Sequence, residues 1–338
     1  MLNGTRFYVT IMAERLEGEG DLLNEFNDLK NDLDDPNNMF NFEEWVLGAL
    51  DGFTARLAPA ATASAREPIT LLDYFSPPTY AFEFINEGGR LQAIQEDYTS
   101  EIHGDTSPRT WIVDVLPNCG SVGPESSLTG ELLQDEDVLP RSSLPPVPHF
   151  RASELQRVDD GLSSEELSDV PSKVRRVGTE DIFFFKGGFK VHGHQRELAI
   201  LTQINLSDDF KEPFRTSRIT GLVFWDHDDS CLMGFLLEYI EGRTLMLWRD
   251  DASASNKIKW ICQVRATLQR LHQSGIIWGD VKPDNVIINT EGDAVVVDFG
   301  GGYTPRYIEP ELQQTMEGDM IGLDHMAEEM GLGRGSSR

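Results

Sequence analysis

The sequence predicts an α+β protein in two folded parts: a small α+β domain over residues 1–115 and a larger domain over 151–338, joined by a Pro/Gly/Ser-rich acidic linker over 116–150. Three observations carry that division. Strand-like and helix-like patterns alternate as far as "RTWIVDV". The stretch "PNCGSVGPESSLTGELLQDEDVLPRSSLPPVPHF" then loses all periodicity and takes on a linker composition. Beyond it a series of strand-like runs comes first and one long amphipathic helix follows, so the larger domain reads as a β-rich part and then a helical part. A chain of 338 residues is long enough for both parts to bury cores of their own.

In the first part, "RFYVTI" alternates as a strand does. "DLLNEFNDLKNDL" has helical spacing at Leu22, Leu23, Phe26 and Leu29, and "NFEEWVLGALDGFTARL" repeats it after Asn41, a residue suited to an N-cap. "ITLLDYF", "TYAFEFI" and "RTWIVDV" read as strands broken by Pro-Pro and Gly-Gly. No cluster of reactive side chains stands out here, which leaves a structural or partner-recruiting role.

In the larger part, "ELQRVDD", "SKVRRV" and "DIFFFK" predict three strands. "HQRELAILTQI" predicts a helix with Leu198, Leu201 and Ile204 on one face. "ITGLVFWDH" and "CLMGFLLEYIEG" read as a strand pair. "NKIKWICQVRATLQRLHQSG" is the strongest helix, with a stripe at Ile261, Val264, Leu268 and Leu271 and a stop at Gly275.

The net charge is −28, and residues 1–150 hold 26 acidic against 8 basic side chains. Such a field disfavours nucleic acid and anionic membranes as partners, and any bound polyphosphate would need local cations or metal ions. Cys119, Cys231 and Cys262 are too scattered for a disulfide framework or a zinc site. "MLNGTRFYVTIMAER" lacks the layout of a secretion signal, and no apolar run reaches membrane-spanning length, so a cytoplasmic or nuclear location is expected.

The chemistry-bearing stretch is "IIWGDVKPDNVIINTEGDAVVVDFGGGY", residues 276–303. Asp280 follows the strong helix through a turn, and Lys282 projects to the same side of an extended segment. "NVIIN" and "AVVVD" are β-runs around the turn "TEGD", so the hairpin brings Asn285 and Asp298 together. A carboxylate to orient a hydroxyl, a cation for phosphate oxygens, and an amide and an acid oxygen for octahedral Mg²⁺ are the parts that phosphoryl transfer from ATP requires.

These residues resemble the protein kinases of eukaryotes. "GDVKPDN" is similar to their catalytic loop, and "DFG" at 298–300 matches their magnesium motif. The resemblance implies Asp280 as general base, Lys282 as the γ-phosphate cation, and Asn285 and Asp298 as Mg²⁺ ligands. It also implies Lys186 as the lysine on the α/β-phosphates, paired with Glu197. The spacing of eleven residues between these two lets a strand turn into a helix, whereas the seven from Lys190 barely would. "LLEYIEG" resembles the hinge, with Leu237 as gatekeeper and the backbones of Glu238 and Ile240 facing adenine. "EPE" at 309–311 resembles the close of the activation segment, and Asp319 the aspartate that holds the catalytic loop. The resemblance covers about 152–330 and is nearest to a divergent kinase-like group of filamentous fungi with "WGDVKPDN" and "DFGGGYT". It implies a two-lobed fold with a shortened helical lower lobe, ATP and Mg²⁺ as cofactors, and Ser/Thr residues of a protein as acceptor.

The chain departs from that pattern in three places. No glycine-rich loop precedes Lys186, and "GLSSEELSD" puts Glu165, Glu166 and Asp169 there instead. Trp278-Gly279 stands where the family has His-Arg, which implies that Trp278 takes the histidine's packing place against Phe299 and that no arginine awaits a phosphorylated loop. The activation segment has only eight residues, 301–308. Two alternatives therefore stay open, a small-molecule phosphotransferase of the aminoglycoside/choline kinase type and a pseudokinase that serves as a binding scaffold.

Overall fold

The computed structural model describes residues 4–31, 33, 35–59, 69–99, 108–113, 138–158, 170–187, 193–211 and 214–333. By contacts the chain divides into two compact units, 1–107 with 159–170, and 108–158 with 171–338. Glu165, Glu166, Asp169, Lys190 and Cys119 lie outside the described residues.

The first unit runs β1 (Arg6–Ile11), α1 (Ala13–Leu16), α2 (Leu22–Lys30), α3 (Pro36–Leu57), α4 (Leu71–Phe75), β2 (Thr79–Glu87) and β3 (Arg90–Glu96). β1 pairs parallel with β2, and β2 antiparallel with β3 across the Gly88-Gly89 turn. Leu50 from α3 packs on Phe82 and Phe84 from β2, with Trp45 and Phe53 around them. Two expectations are corrected. Helix α3 starts at Asp35, whose side chain accepts from Asn37 N–H with Pro36 at the first position, six residues before Asn41. "ITLLDYF" is the helix α4 and no strand: Thr70 and Asp73 form a reciprocal capping box that satisfies the first-turn donors locally.

The second unit begins with β4 (Thr110–Val113), β5 (Val138–Pro140), β6 (His149–Arg151), β7 (Leu155–Arg157), β8 (Lys173–Arg176) and β9 (Ile182–Gly187). Helix α5 (Gly193–Leu206), β10 (Ile219–Trp225), β11 (Asp228–Glu238) and β12 (Gly242–Thr244) follow. The rest is α6 (Ala254–Gln273), β13 (Val286–Asn289), β14 (Ala294–Val296) and α7 (Met316–Glu329). An eight-stranded sheet runs β5-β4-β11-β9-β8-β7, with β10 beside β11 and β6 beside β10. "RTWIVDV", assigned by its sequence to the first domain, thus pairs with β11 and β5 here, and the linker stretch supplies β5 and β6.

A continuous core joins sheet and helices. Leu198, Leu201 and Ile204 of α5, Phe235 and Leu237 of β11, and Ile261, Val264, Leu268 and Leu271 of α6 belong to one buried cluster with Trp278, Phe299 and Met326. The α6 stripe falls at helical spacing, so burying it fixes the helix's orientation under the hairpin. Gly275 ends α6 at φ +74°, and Ile276 N–H returns to Leu271 C=O at 2.9 Å, the C-terminal geometry that favours glycine. Lys259 Nζ and Trp260 Nε1 both donate to Gly292 C=O, at 2.7 and 2.9 Å, and tie α6 to the turn of the β13–β14 hairpin. Among the described residues no helix is long and apolar enough to cross a membrane.

Candidate active site

The turn after α6 is set by one buried carboxylate. Asp319, 1% exposed near the start of α7, accepts from Trp278 N–H and Gly279 N–H at 2.8 Å each, and His272 Nε2 lies 2.8 Å from the same group. Two backbone donors aimed at one carboxyl group make directional bonds, so the chain leaves this point in one direction. Gly279 has φ +86°, where an L side chain is strained.

Asp280 comes next and is buried. Its Oδ2 takes Lys282 Nζ at 2.6 Å and Asn285 Nδ2 at 3.0 Å, and its Oδ1 takes the Thr304 hydroxyl at 2.9 Å. Gly302 passes close by, and a Cβ there would stand 3.2 Å from Asp280 Cγ. Asp280, Lys282 and Asn285 are thereby brought together.

A second cluster gathers around Asp298. Lys186 on β9 reaches Glu197 Oε2 of α5 at 2.5 Å and Asp298 Oδ1 at 2.9 Å. Burial works against the Lys186 charge, but the two carboxylates outweigh it and raise its pKa. Glu197 is lifted by its near-complete burial, which Lys186 offsets in part. Burial also acts to raise Asp298, yet Lys186 and Gly300 N–H hold it below the usual carboxylate value. Asp298 has φ +62°, a left-handed conformation that Asp tolerates better than most residues.

Val297 N–H donates to Asn285 C=O at 3.0 Å, which makes residues 285 and 298 close neighbours across the hairpin. The Asn285 amide group spends its N–H on Asp280, and no donor to its Oδ1 is found among the described residues. An amide oxygen and a carboxylate are hard-oxygen donors of the kind Mg²⁺ takes, with phosphate and water completing the shell. Among the described residues no three His, Cys, Asp or Glu side chains cluster as a metal site, so these two would be the protein's contribution.

Leu237 is buried in β11 opposite Phe184, and Glu238 lies opposite Phe183. Glu238 N–H is taken up by Arg218 C=O at 2.9 Å, which anchors the segment leading to Ile240. A cavity of about 450 Å³ flanks this hinge, between Arg215, Glu238, Ile240 and Asp293; Lys186, Asp280 and Asp298 do not line it.

Residues 173–319 match the family described as "Protein kinase domain". Over that stretch the chain is similar to members of the protein-kinase-like superfamily. The kinase domain comprises a β-rich sheet lobe and a helical portion. The chain is similar to a RAC family serine/threonine-protein kinase homolog of Dictyostelium discoideum, 26% identical over 182 residues, covering 46% of this chain and 40% of that protein. It is also similar to the human protein kinase C eta type, 27% over 245 residues, covering 60% and 35%. For the protein kinase C-like 1B of Caenorhabditis elegans the figures are 28% over 162 residues, 42% and 22%. The chain thus spans well under two thirds of the length of each of these relatives.

Within the matched stretch, Thr304 and Arg196 escaped the sequence reading, and Trp278 has contacts that it did not foresee. Thr304 touches Asp280 from the activation segment; its place five residues before Glu309 was the signal available. Trp278, fully buried, also donates its indole N–H to the carbonyls of Val297 and Asp298 at 3.0 Å each, so it does more than fill the histidine's place. Arg196 donates to carbonyls of Ile277, Trp278 and Phe299, and contacts to backbone carbonyls leave no pattern in a sequence.

Proposed function

We propose that this kinase domain transfers the γ-phosphoryl group of ATP to a serine or threonine hydroxyl of a protein. The observation that carries the reading is the environment of Asp280, a buried carboxylate with a cation and a hydroxyl both in hydrogen-bond contact. In that role Asp280 accepts the proton of the acceptor hydroxyl as the new O–P bond forms and the bond to the β-phosphate oxygen breaks, releasing ADP. Lys282 neutralises charge on the transferred group. Lys186, positioned by Glu197, holds the α- and β-phosphates. The Glu238 carbonyl and the Ile240 N–H bind the adenine edge, under Leu237 as gatekeeper. Mg²⁺, when bound, would sit on Asn285 and Asp298 and screen the phosphate charge. The lysine two residues after Asp280 supports Ser/Thr over Tyr acceptors.

The test is turnover of radiolabelled ATP by the parent chain, Asp280→Ala and Asp298→Ala, each with generic protein, with small amines and with no acceptor. Protein labelling that both substitutions abolish is the expected result. Labelling of small amines alone would make the chain a small-molecule phosphotransferase. No labelling at all, with a melting temperature indifferent to nucleotide, would make it a binding scaffold.

A further inference from the structure

Gly279 stands where the family has an arginine, so any cation that fixes the backbone around Asp280 and Asp298 comes from elsewhere in the chain. One stands on α5, immediately before Glu197. Arg196 Nη2 donates to Ile277 C=O at 2.7 Å, and its Nη1 to Trp278 C=O at 3.2 Å and to Phe299 C=O. The neighbouring Glu197 Oε1 accepts from Phe299 N–H at 3.3 Å. Two consecutive helix residues therefore hold both backbone polar groups of Phe299, and one of them also holds the two residues before Gly279. From the opposite side Asp319 takes the N–H groups of Trp278 and Gly279.

We propose that Arg196 is a positioning residue that locks α5, the catalytic loop and the metal motif together with no phosphate on the activation segment. The geometry suits arginine in particular, because a guanidinium fans several donors in one plane and a lysine ammonium cannot reach three carbonyls with equal geometry. The activation segment is already tied down by other means. Thr304 binds Asp280, His325 Nδ1 lies 2.7 Å from Tyr307 C=O, and Arg306 pairs with Glu329 at 2.6 Å. The lock needs no charge that comes and goes, so the domain is expected to be constitutively aligned. The catalytic part of this inference rests on the phosphotransferase reading above.

The full chain with Arg196→Ala, Arg196→Gln and Arg196→Lys tests it. In Arg196→Ala, kcat is expected to fall about tenfold or more while the KM for ATP moves less than about threefold, and the Mg²⁺ concentration for half-maximal rate rises. Arg196→Lys should lie between parent and Ala, with melting temperatures of the Lys and Gln variants within about 3 °C of the parent. Amide exchange of residues 297–300 in the nucleotide-free chain should quicken by about tenfold in Arg196→Gln. Parent-like kcat and Mg²⁺ dependence in the Lys and Gln variants would overturn the proposal, whether or not Arg196→Ala folds. A parent chain without turnover would defeat the phosphotransferase reading instead. The exchange measurement would then decide the lock alone, and unchanged exchange in Arg196→Gln would overturn it.

Discussion

Glu83 in the first unit and Asp319 in the second are both buried acids, 7% and 1% exposed, but they are used differently. Glu83 meets Arg15 at 3.0 Å, and that arginine side chain is 59% exposed, so the pair sits at a rim where ion pairs contribute little. Asp319 takes two backbone N–H groups and a histidine ring at 2.8 Å each, and so dictates a chain path. The same contrast runs through both regions. The first unit is held by aromatic contacts such as the edge-to-face pair of Phe53 and Phe82, 4.7 Å between centroids. Residues 277–304 bury polar groups and satisfy them with one another. Aromatic packing gives stability without direction, whereas a satisfied polar network gives direction at a desolvation cost.

Four experiments press on that difference. Asp280→Ala should lower kcat by about 10³-fold, the scale of a lost positioned base, while the melting temperature changes little. If turnover survives, the polar network is scaffolding and the contrast between the regions disappears. Phe82→Ala should destabilise the first unit by about 3–5 kcal/mol, read by denaturant unfolding, with ATP turnover of the second unit at the parent level. A parallel loss of turnover would show that the aromatic unit also serves the chemistry.

Trp278→Phe replaces the indole with a smaller ring and removes the N–H from two carbonyls, so it should cost about 1–3 kcal/mol for the lost bonds plus the cost of the void, and lower kcat as well. A loss of stability with unchanged kcat would reduce Trp278 to packing. The smallest effect is electrostatic. Lys259 and Gln263 bind the Asp293 carboxylate, with minor opposition from burial, and lower its pKa from 3.8 to about 2. The folded-state value is below the unfolded one, so this stabilisation is present above about 3.8 and is lost as the pH falls towards about 2. Carbon-detected NMR titration of Asp293 should show it, and Lys259→Ala should return the midpoint towards 3.8.

The larger domain was the more legible region because its signals are of the kind a sequence carries. The β9 strand, α5 and α6 follow from periodicity, and the order of Lys186, Glu197, Asp280, Asn285 and Asp298 from the resemblance to protein kinases. The first unit misled where local chemistry overrode apolar pattern: Thr70 and Asp73 turn an apolar run into α4. Strand β3 was missed because "RLQAIQE" is mostly exposed, so it shows little hydrophobic contrast. The placement of Thr110–Val113 depends on a partner strand more than a hundred residues away, which no window of sequence contains. The hydrogen bonds of Trp278 and Arg196 end on peptide oxygens, which every residue possesses, so no residue type marks the receiving side.

That last property shapes how the second unit can vary. Because Arg196 reads only main-chain atoms, positions 277, 278 and 299 could change identity without disturbing its grip. The vulnerability is gathered at a single codon: when that side chain is lost, no substitution at the receiving positions can restore the bond.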